Sequence, residues 1–363
     1  MKVIISGGGT AGHINPGLAI ASYFASEYDA EILFIGTEKG MENRLIPNAG
    51  WNIRHIEVSG LIRKLTIKNL TVIKQFVTAI SKAKKIIREF QPDIVIGTGG
   101  YVCAPVLFAA HSLKIPTLIH EQNVIPGVTI KLAARIADSI CISFSDTTKY
   151  LKPAYADKCV LTGNPIRSEM LNGDYSDARS QLNLDDRPFV VAFGGSLGAA
   201  RLNEAVIQFL NTENMENFQF MLGTGQRYYD EVKSRITTES SSVEIKPYIN
   251  QMDLIMTAAD LVIGRSGALT ISELCALGKP SILIPSPNVA HDHQTVNARS
   301  MENAGCSVML ADSELSGKNL YNAINEIISN PDKMAVMAAK AKEIAITDGA
   351  SRIGKAALAI IKK

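Results

Sequence analysis

The chain has 363 residues, 46% of them hydrophobic and 20% charged, with a formal net charge of +2. This is too apolar for a disordered chain, long enough for two α/β cores, and too near neutrality for a global field that would draw nucleic acid. The five scattered cysteines (Cys103, Cys141, Cys159, Cys275, Cys306) form no C-x-x-C pair, which argues against a zinc site or a disulfide framework and fits a reducing cytoplasm.

The chain enters a candidate strand at once, Lys2–Ser6, with no basic-then-apolar leader pattern before it. That strand runs into Gly7-Gly8-Gly9-Thr10-Ala11-Gly12-His13. A glycine turn at a helix start presents backbone N–H groups to an anion, and the helix dipole favours negative charge there. Gly7, Gly9 and Gly12 satisfy G-x-G-x-x-G. The next strand, Glu31–Gly36, lacks the terminal acid that holds a ribose in dinucleotide folds, and Glu38 comes late. Hydride transfer is therefore disfavoured. The same dipole disfavours the imidazolium form of His13, leaving a neutral base; capping the turn is its alternative role.

From Leu61 to Arg88 the chain is basic and amphipathic. Ile62, Leu65, Ile73, Phe76, Val77 and Ile80 recur at near-helical spacing among Arg63, Lys64, Lys68, Lys74, Lys82, Lys84, Lys85 and Arg88. Two readings stay open: an apolar stripe in the core with a solvated basic face, or a face for an anionic membrane. No apolar stretch is long enough to span a bilayer; the richest, Val102 to Ile119, contains His111, Lys114 and two prolines. Further strands are predicted at Ile94–Gly97, Thr117–His120, Ser139–Ser143 and Cys159–Thr162. Gly163-Asn164-Pro165 then marks a domain boundary, followed by a polar stretch from Arg167 to Arg187.

The second half repeats the pattern, with strands predicted at Phe189–Phe193, Phe218–Leu222, Val243–Lys246, Leu261–Gly264, Ser281–Ile284 and Ser307–Leu310. Its first strand leads into Gly194-Gly195-Ser196-Leu197-Gly198-Ala199. This also fits the G-x-S-x-G elbow of hydrolases, with Asp253 or Asp260 and His291 or His293 as partners. An anion-binding loop is the preferred reading, because a hydrolase has no use for a first half with its own glycine turn. Leu261–Gly264 runs into Arg265-Ser266-Gly267 and a helix. N–H groups at Gly267 and Ala268 suit a diphosphate, and Glu273, two turns on, suits both hydroxyls of a ribose. His291 and His293 lack a third ligand and no Asp-x-Asp occurs, so no metal is expected. Gln294 and Asn297 suit a hydroxylated ligand. The last segment, Ala350 to Lys363, is helical by pattern, with Ile353, Ala357, Ile360 and Ile361 on one face. Continuous apolar strands alternating with helices imply parallel sheets buried on both faces, with ligands beyond the carboxyl ends of the strands.

Five segments, taken together and in order, carry a resemblance: Gly8–His13, His120-Glu121-Gln122-Asn123, Gly163-Asn164-Pro165-Ile166-Arg167, Gly194–Ala199 and Arg265–Glu273. The chain resembles the MurG family of glycosyltransferases along essentially its whole length. The resemblance implies an α/β GT-B fold, two Rossmann-like parallel-sheet domains facing a deep cleft. Residues 1–164 would be an acceptor- and membrane-facing domain, 165–345 the UDP-sugar domain, and 346–363 a C-terminal helix packing back on the first. It implies an inverting transfer of N-acetylglucosamine from UDP-N-acetylglucosamine to a lipid-linked muramoyl-pentapeptide, in peptidoglycan synthesis. The work would be done peripherally, on the anionic cytoplasmic face of the plasma membrane, with no cofactor and no nucleic acid. Arg167 and Ser196 would approach the phosphates, and Tyr248, Ile249 and Met252 would enclose the uracil. Ala268, Leu269 and Thr270 would line the diphosphate and sugar, Glu273 would take the ribose, and Gln294 the sugar hydroxyls. Thr10, Ala11, Gly12, His13 and Asn123 would reach the donor from the first domain, His13 as the base. Leu197 and His293 depart from the family's usual glutamines. A UDP-N-acetylglucosamine 2-epimerase shares the fold and is the alternative.

Overall fold

The computed structural model describes residues 1–58, 68–167, 170–195, 198–238, 240–289 and 292–362, with the backbone alone for 68–73. The chain divides into two compact units, Met1–Ile166 with Thr347–Lys363, and Arg167–Ile346.

The first unit holds β1 (Lys2–Gly7), β2 (Glu31–Gly36), β3 (Asn52–His55), β4 (Ile94–Gly99), β5 (Thr117–Glu121), β6 (Ser139–Ile142) and β7 (Cys159–Leu161). They form one parallel sheet in the order β3-β2-β1-β4-β5-β6-β7. Its helices are α1 (Ala11–Tyr28), α2 (Glu42–Asn48), α3 (Lys68–Phe90), α4 (Cys103–Ser112) and α5 (Val128–Ala133). The second unit holds β8 (Phe189–Phe193), β9 (Gln219–Gly223), β10 (Val243–Lys246), β11 (Leu261–Gly264), β12 (Ser281–Leu283) and β13 (Ser307–Met309). These pair, again in parallel, in the order β10-β9-β8-β11-β12-β13. Around them lie α6 (Tyr175–Gln181), α7 (Ala200–Thr212), α8 (Tyr229–Arg235), α9 (Met252–Ala258), α10 (Ala268–Leu277), α11 (His293–Asn303), α12 (Gly317–Ile328) and α13 (Pro331–Ile344). The chain then returns to the first unit as α14 (Gly349–Ile361).

Every strand expected from an apolar run is present. The strand that sequence reading misses is β3, whose residues Asn52, Ile53, Arg54 and His55 alternate between exposed and half-buried. It is an edge strand, so only one side of its ladder is paired and Asn52 and Arg54 stay exposed.

Strand alternation sorts the core of the first unit. Val3 and Ile5 pack with Ile14, Ile20 and Phe24 of α1 and with Ile353 and Ala357 of α14. Ile4, between them, packs on the other face with Ala79, Ala83 and Ile87 of α3 and Val106 and Leu107 of α4. Ala79, Ala83, Ile86 and Ile87 repeat at helical spacing, so the described part of α3 carries a core-facing stripe. Lys74, Lys82, Lys85 and Arg88 are exposed on it, and so is Val77 at 62%. Residues 61–67 of the basic stretch lie outside the described residues. Among the described residues no helix is long and apolar enough to cross a membrane.

Both sheets reverse their winding direction once, between β1 and β4 and between β8 and β11. The loops leaving these strand pairs diverge to opposite faces and open a crevice at the carboxyl ends, where doubly wound sheets bind their ligands.

Candidate active site

In the second unit, Phe193 at the end of β8 pairs with Gly264 at the end of β11. The register therefore delivers Gly194-Gly195 and Arg265 side by side. Gly198 sits at φ +74°, and a Cβ there would overlap the Thr224 carbonyl, so only glycine fits. Ser196 and Leu197 lie outside the described residues, as does His291.

A cavity of about 540 Å³ opens at this switch point, lined by Gly194, Gly195 and Gly198 on one side and by Gly267, Thr270 and Gln294 on the other. Gly267 is the N-cap of α10, so the positive end of that helix dipole meets the cavity. Arg201 and Arg265 also line it and share one carboxylate. Arg265 Nη1 lies 2.6 Å from Asp312 Oδ1 and donates to the carbonyls of Ile284 (3.2 Å) and Pro285 (3.0 Å). Arg201 Nε lies 3.2 Å from Asp312 Oδ2. Two guanidiniums on one carboxylate leave a net positive wall, suited to a diphosphate. Arg201 and Asp312 were not legible as site residues; their only signal was Arg201's place just after the glycine turn.

Gln294 Oε1 accepts the Ser286 N–H at 2.8 Å, which leaves its amide NH2 as the end a sugar hydroxyl could meet. Asn297, expected to face a ligand, is instead fully buried and donates to the Ser266 carbonyl at 3.2 Å, bracing the turn before α10. Glu273 and Arg167 do not line this cavity. Burial pushes the Glu273 carboxyl up from its ordinary range, and the Arg167 guanidinium opposes this, so the two lie within electrostatic reach. Ala268 is buried, and Leu269 and Met252 are half-buried. Tyr248 is 53% exposed, while Ile249 is buried against Gly223.

The first unit places Thr10 as the N-cap of α1, with His13 in its first turn. His13 Nδ1 lies 3.1 Å from the Gly8 carbonyl and 3.3 Å from Thr10 Oγ1. A carbonyl only accepts, so Nδ1 carries the proton and Nε2 the basic lone pair. The Thr98 hydroxyl holds the His13 carbonyl at 2.7 Å. Gly9 N–H donates to the Glu42 carboxylate at 3.0 Å and Gly8 N–H to the Gly99 carbonyl at 3.2 Å, so two amides of the turn are held by the protein itself, one of them by its own anion. Ala11 and Gly12 form the rest of the first turn of α1.

Beyond β5, Asn123 donates through its backbone N–H (2.8 Å) and its amide (3.2 Å) to Glu121, which is buried and also accepts from Gly127 N–H (2.8 Å). His120, fully buried, lies with its Nε2 3.1 Å from the Gly163 carbonyl. Burial pushes its imidazole down to about 4, against the pull of that carbonyl. Unfolding returns it to about 6.5, so between those values the unfolded chain binds the extra proton. His120 thus contributes stability that is complete above pH 6.5 and lost as the pH falls through about 4, on the order of 3 kcal/mol in all. Thermal melts of His120→Asn should show a flatter loss of Tm across that window than the parent chain; equal slopes would remove His120 from the acid response. Among the described residues no group of three His, Cys, Asp or Glu side chains gathers as a metal site requires.

Residues 3–142 match the family model of the glycosyltransferase family 28 N-terminal domain, and residues 189–353 that of the family's C-terminal domain. A UDP-N-acetylglucosamine--N-acetylmuramyl-(pentapeptide) pyrophosphoryl-undecaprenol N-acetylglucosamine transferase of Acetivibrio thermocellus is 49% identical over 357 residues, 97% of this chain and 96% of the relative. The chain belongs to the MurG family of glycosyltransferases. The solved MurG of Acinetobacter baumannii has a TM-score of 0.80 at 28% identity, covering 100% of this chain and 99% of that one. Its two parallel-sheet units are thus the GT-B fold of the MurG family. A UDP-N-acetylglucosamine 2-epimerase of Neisseria meningitidis also matches, with a TM-score of 0.70 at 14% identity over 99% of this chain and all of that one. That likeness is one of fold alone.

Proposed function

We propose that this enzyme transfers N-acetylglucosamine, with inversion, from UDP-N-acetylglucosamine to the C4 hydroxyl of undecaprenyl-pyrophosphoryl-N-acetylmuramoyl-pentapeptide, forming a β-1,4 bond. The observation that carries this reading is the 49% identity, over nearly the whole of both chains, to a transferase named for that reaction. The acceptor O–H gives its proton to His13 Nε2 while its oxygen attacks the anomeric carbon. The bond from that carbon to the diphosphate oxygen breaks, and UDP leaves with the electron pair. The dipole of α10 with the Arg201–Asp312–Arg265 wall supports binding and charge stabilisation of that diphosphate in the second unit. Arg167 and Ser196 are proposed beside the phosphates, Glu273 on the ribose, Tyr248, Ile249 and Met252 around the uracil, and Ala268, Leu269, Thr270 and Gln294 along the sugar. Thr10, Ala11, Gly12 and Asn123 are proposed as first-unit contacts to the donor.

A polyprenyl-linked acceptor calls for work at the cytoplasmic face of the plasma membrane. Exposed Val77 on α3, Val128 and Leu132 beside Lys131 on α5, and Arg135 just past its end support a peripheral contact with anionic lipid. UDP release from UDP-N-acetylglucosamine, with and without the lipid-linked muramoyl acceptor, tests the proposal. Release that depends on the acceptor is expected. No release with acceptor would overturn it, and free epimerised sugar from donor alone would point to the epimerase instead.

A further inference from the structure

One peptide group in the first glycine turn is gripped from both ends. The N–H of the Gly8–Gly9 peptide donates to Glu42 Oε2 at 3.0 Å, and its carbonyl lies 3.1 Å from His13 Nδ1. Glu42 itself is 0% exposed at the start of α2. Its other oxygen accepts the Thr37 N–H at 3.1 Å and the Thr37 hydroxyl at 2.7 Å. Glycines close round it: a Cβ on Gly8 would lie 2.7 Å from the carboxylate, and one on Gly40 would overlap it. Burial opposes the charge, but the bonds from Gly9 and Thr37 outweigh it and hold the carboxyl below its ordinary range. A buried glutamate, ionised and fitted into a glycine turn that could otherwise receive phosphate, needs a reason.

We propose that Glu42 is a positioning residue for His13 and acts through the Gly8–Gly9 peptide. A peptide between two glycines turns over easily. If this one flipped, the Gly8 carbonyl would leave His13 and point its oxygen at the Glu42 carboxylate. The carboxylate therefore permits one orientation only. Its charge-assisted bond also polarises the amide and makes the Gly8 carbonyl a better acceptor. The result is a carboxylate–peptide–imidazole relay that fixes the Nδ1–H tautomer and leaves Nε2 basic. Aspartate fixes its histidine directly in the serine-protease arrangement; here an amide stands between the two. The same carboxylate repels phosphate from this turn, so the diphosphate is left to the second unit.

The inference rests on His13 being the base, but its test does not. Nitrogen-15 spectra of histidine-labelled full-length protein report the tautomer of His13, assigned by the signal lost in His13→Ala. The Nδ1–H form should dominate in the parent chain. In Glu42→Gln it should give way to a mixture with Nε2–H, and kcat should fall by about tenfold or more at little-changed donor KM. Glu42→Asp, too short to reach Gly9 while bonded to Thr37, should behave alike and serves if the glutamine variant fails to fold. Thr37→Val removes one anchor but keeps the Gly9 bond, so it should lower Tm and leave the tautomer as it was. An unchanged His13 tautomer in Glu42→Gln or Glu42→Asp would overturn the relay, even if His13→Ala proves inactive. A changed tautomer with a fully active His13→Ala would keep the relay and remove the base.

Discussion

Alanine at position 13 should lower kcat by about 10²–10⁴-fold, the range of lost general-base catalysis, and leave the KM for UDP-N-acetylglucosamine close to its parent value. The truncation spares the loop, because Thr98 holds residue 13 by its backbone carbonyl. Asparagine separates base from brace. Its amide N–H can keep the bond to the Gly8 carbonyl, yet it offers no basic nitrogen. His13→Asn should therefore be about as slow as His13→Ala in steady-state UDP release. An asparagine variant with near-parental turnover would take the proton-accepting role from His13.

Glu273→Ala should weaken the donor rather than the chemistry. A hydrogen bond to a charged acceptor is worth about 1.5–3 kcal/mol, so losing the ribose contact should raise the donor Kd at least about tenfold. Glutamine, which keeps one acceptor oxygen, should fall between. Calorimetric titration with a 2′-deoxyribose donor gives the control: it should bind the parent chain less well than the normal donor, and the alanine variant almost equally. Full discrimination by the alanine variant would place the ribose elsewhere. Because burial pushes the Glu273 carboxyl up, acidification should protonate it earlier than an exposed glutamate and weaken donor binding over the same range. The alanine variant should lack that acid limb.

Most of the fold was legible because buried parallel strands are written as continuous apolar runs, as in Val3-Ile4-Ile5 and Leu261-Val262-Ile263. The edge strand β3 carries one strongly apolar residue in four and gives no such signal. The backbone of the candidate site was legible too, since glycine turns between strand and helix have a fixed spacing. Its electrostatics were not. Glu42 stands in an ordinary polar stretch, 33 residues from the Gly9 amide it accepts, and Asp312 is 47 residues from Arg265. Such partners are set by which loops the sheet order brings together, and local pattern carries no trace of them. At the first glycine turn a carboxylate from the chain itself takes the Gly9 amide, since a side chain and a phosphate can satisfy the same group.

The packing of α14 against α1 and β6 has a bearing on biosynthesis. The first unit is completed by a helix that leaves the ribosome only after the entire intervening unit has been made. Until then, a nascent first lobe carries an open greasy seam, a natural client for holdase chaperones. The second lobe, complete by Ile346, is therefore free to finish folding before the first has all its residues.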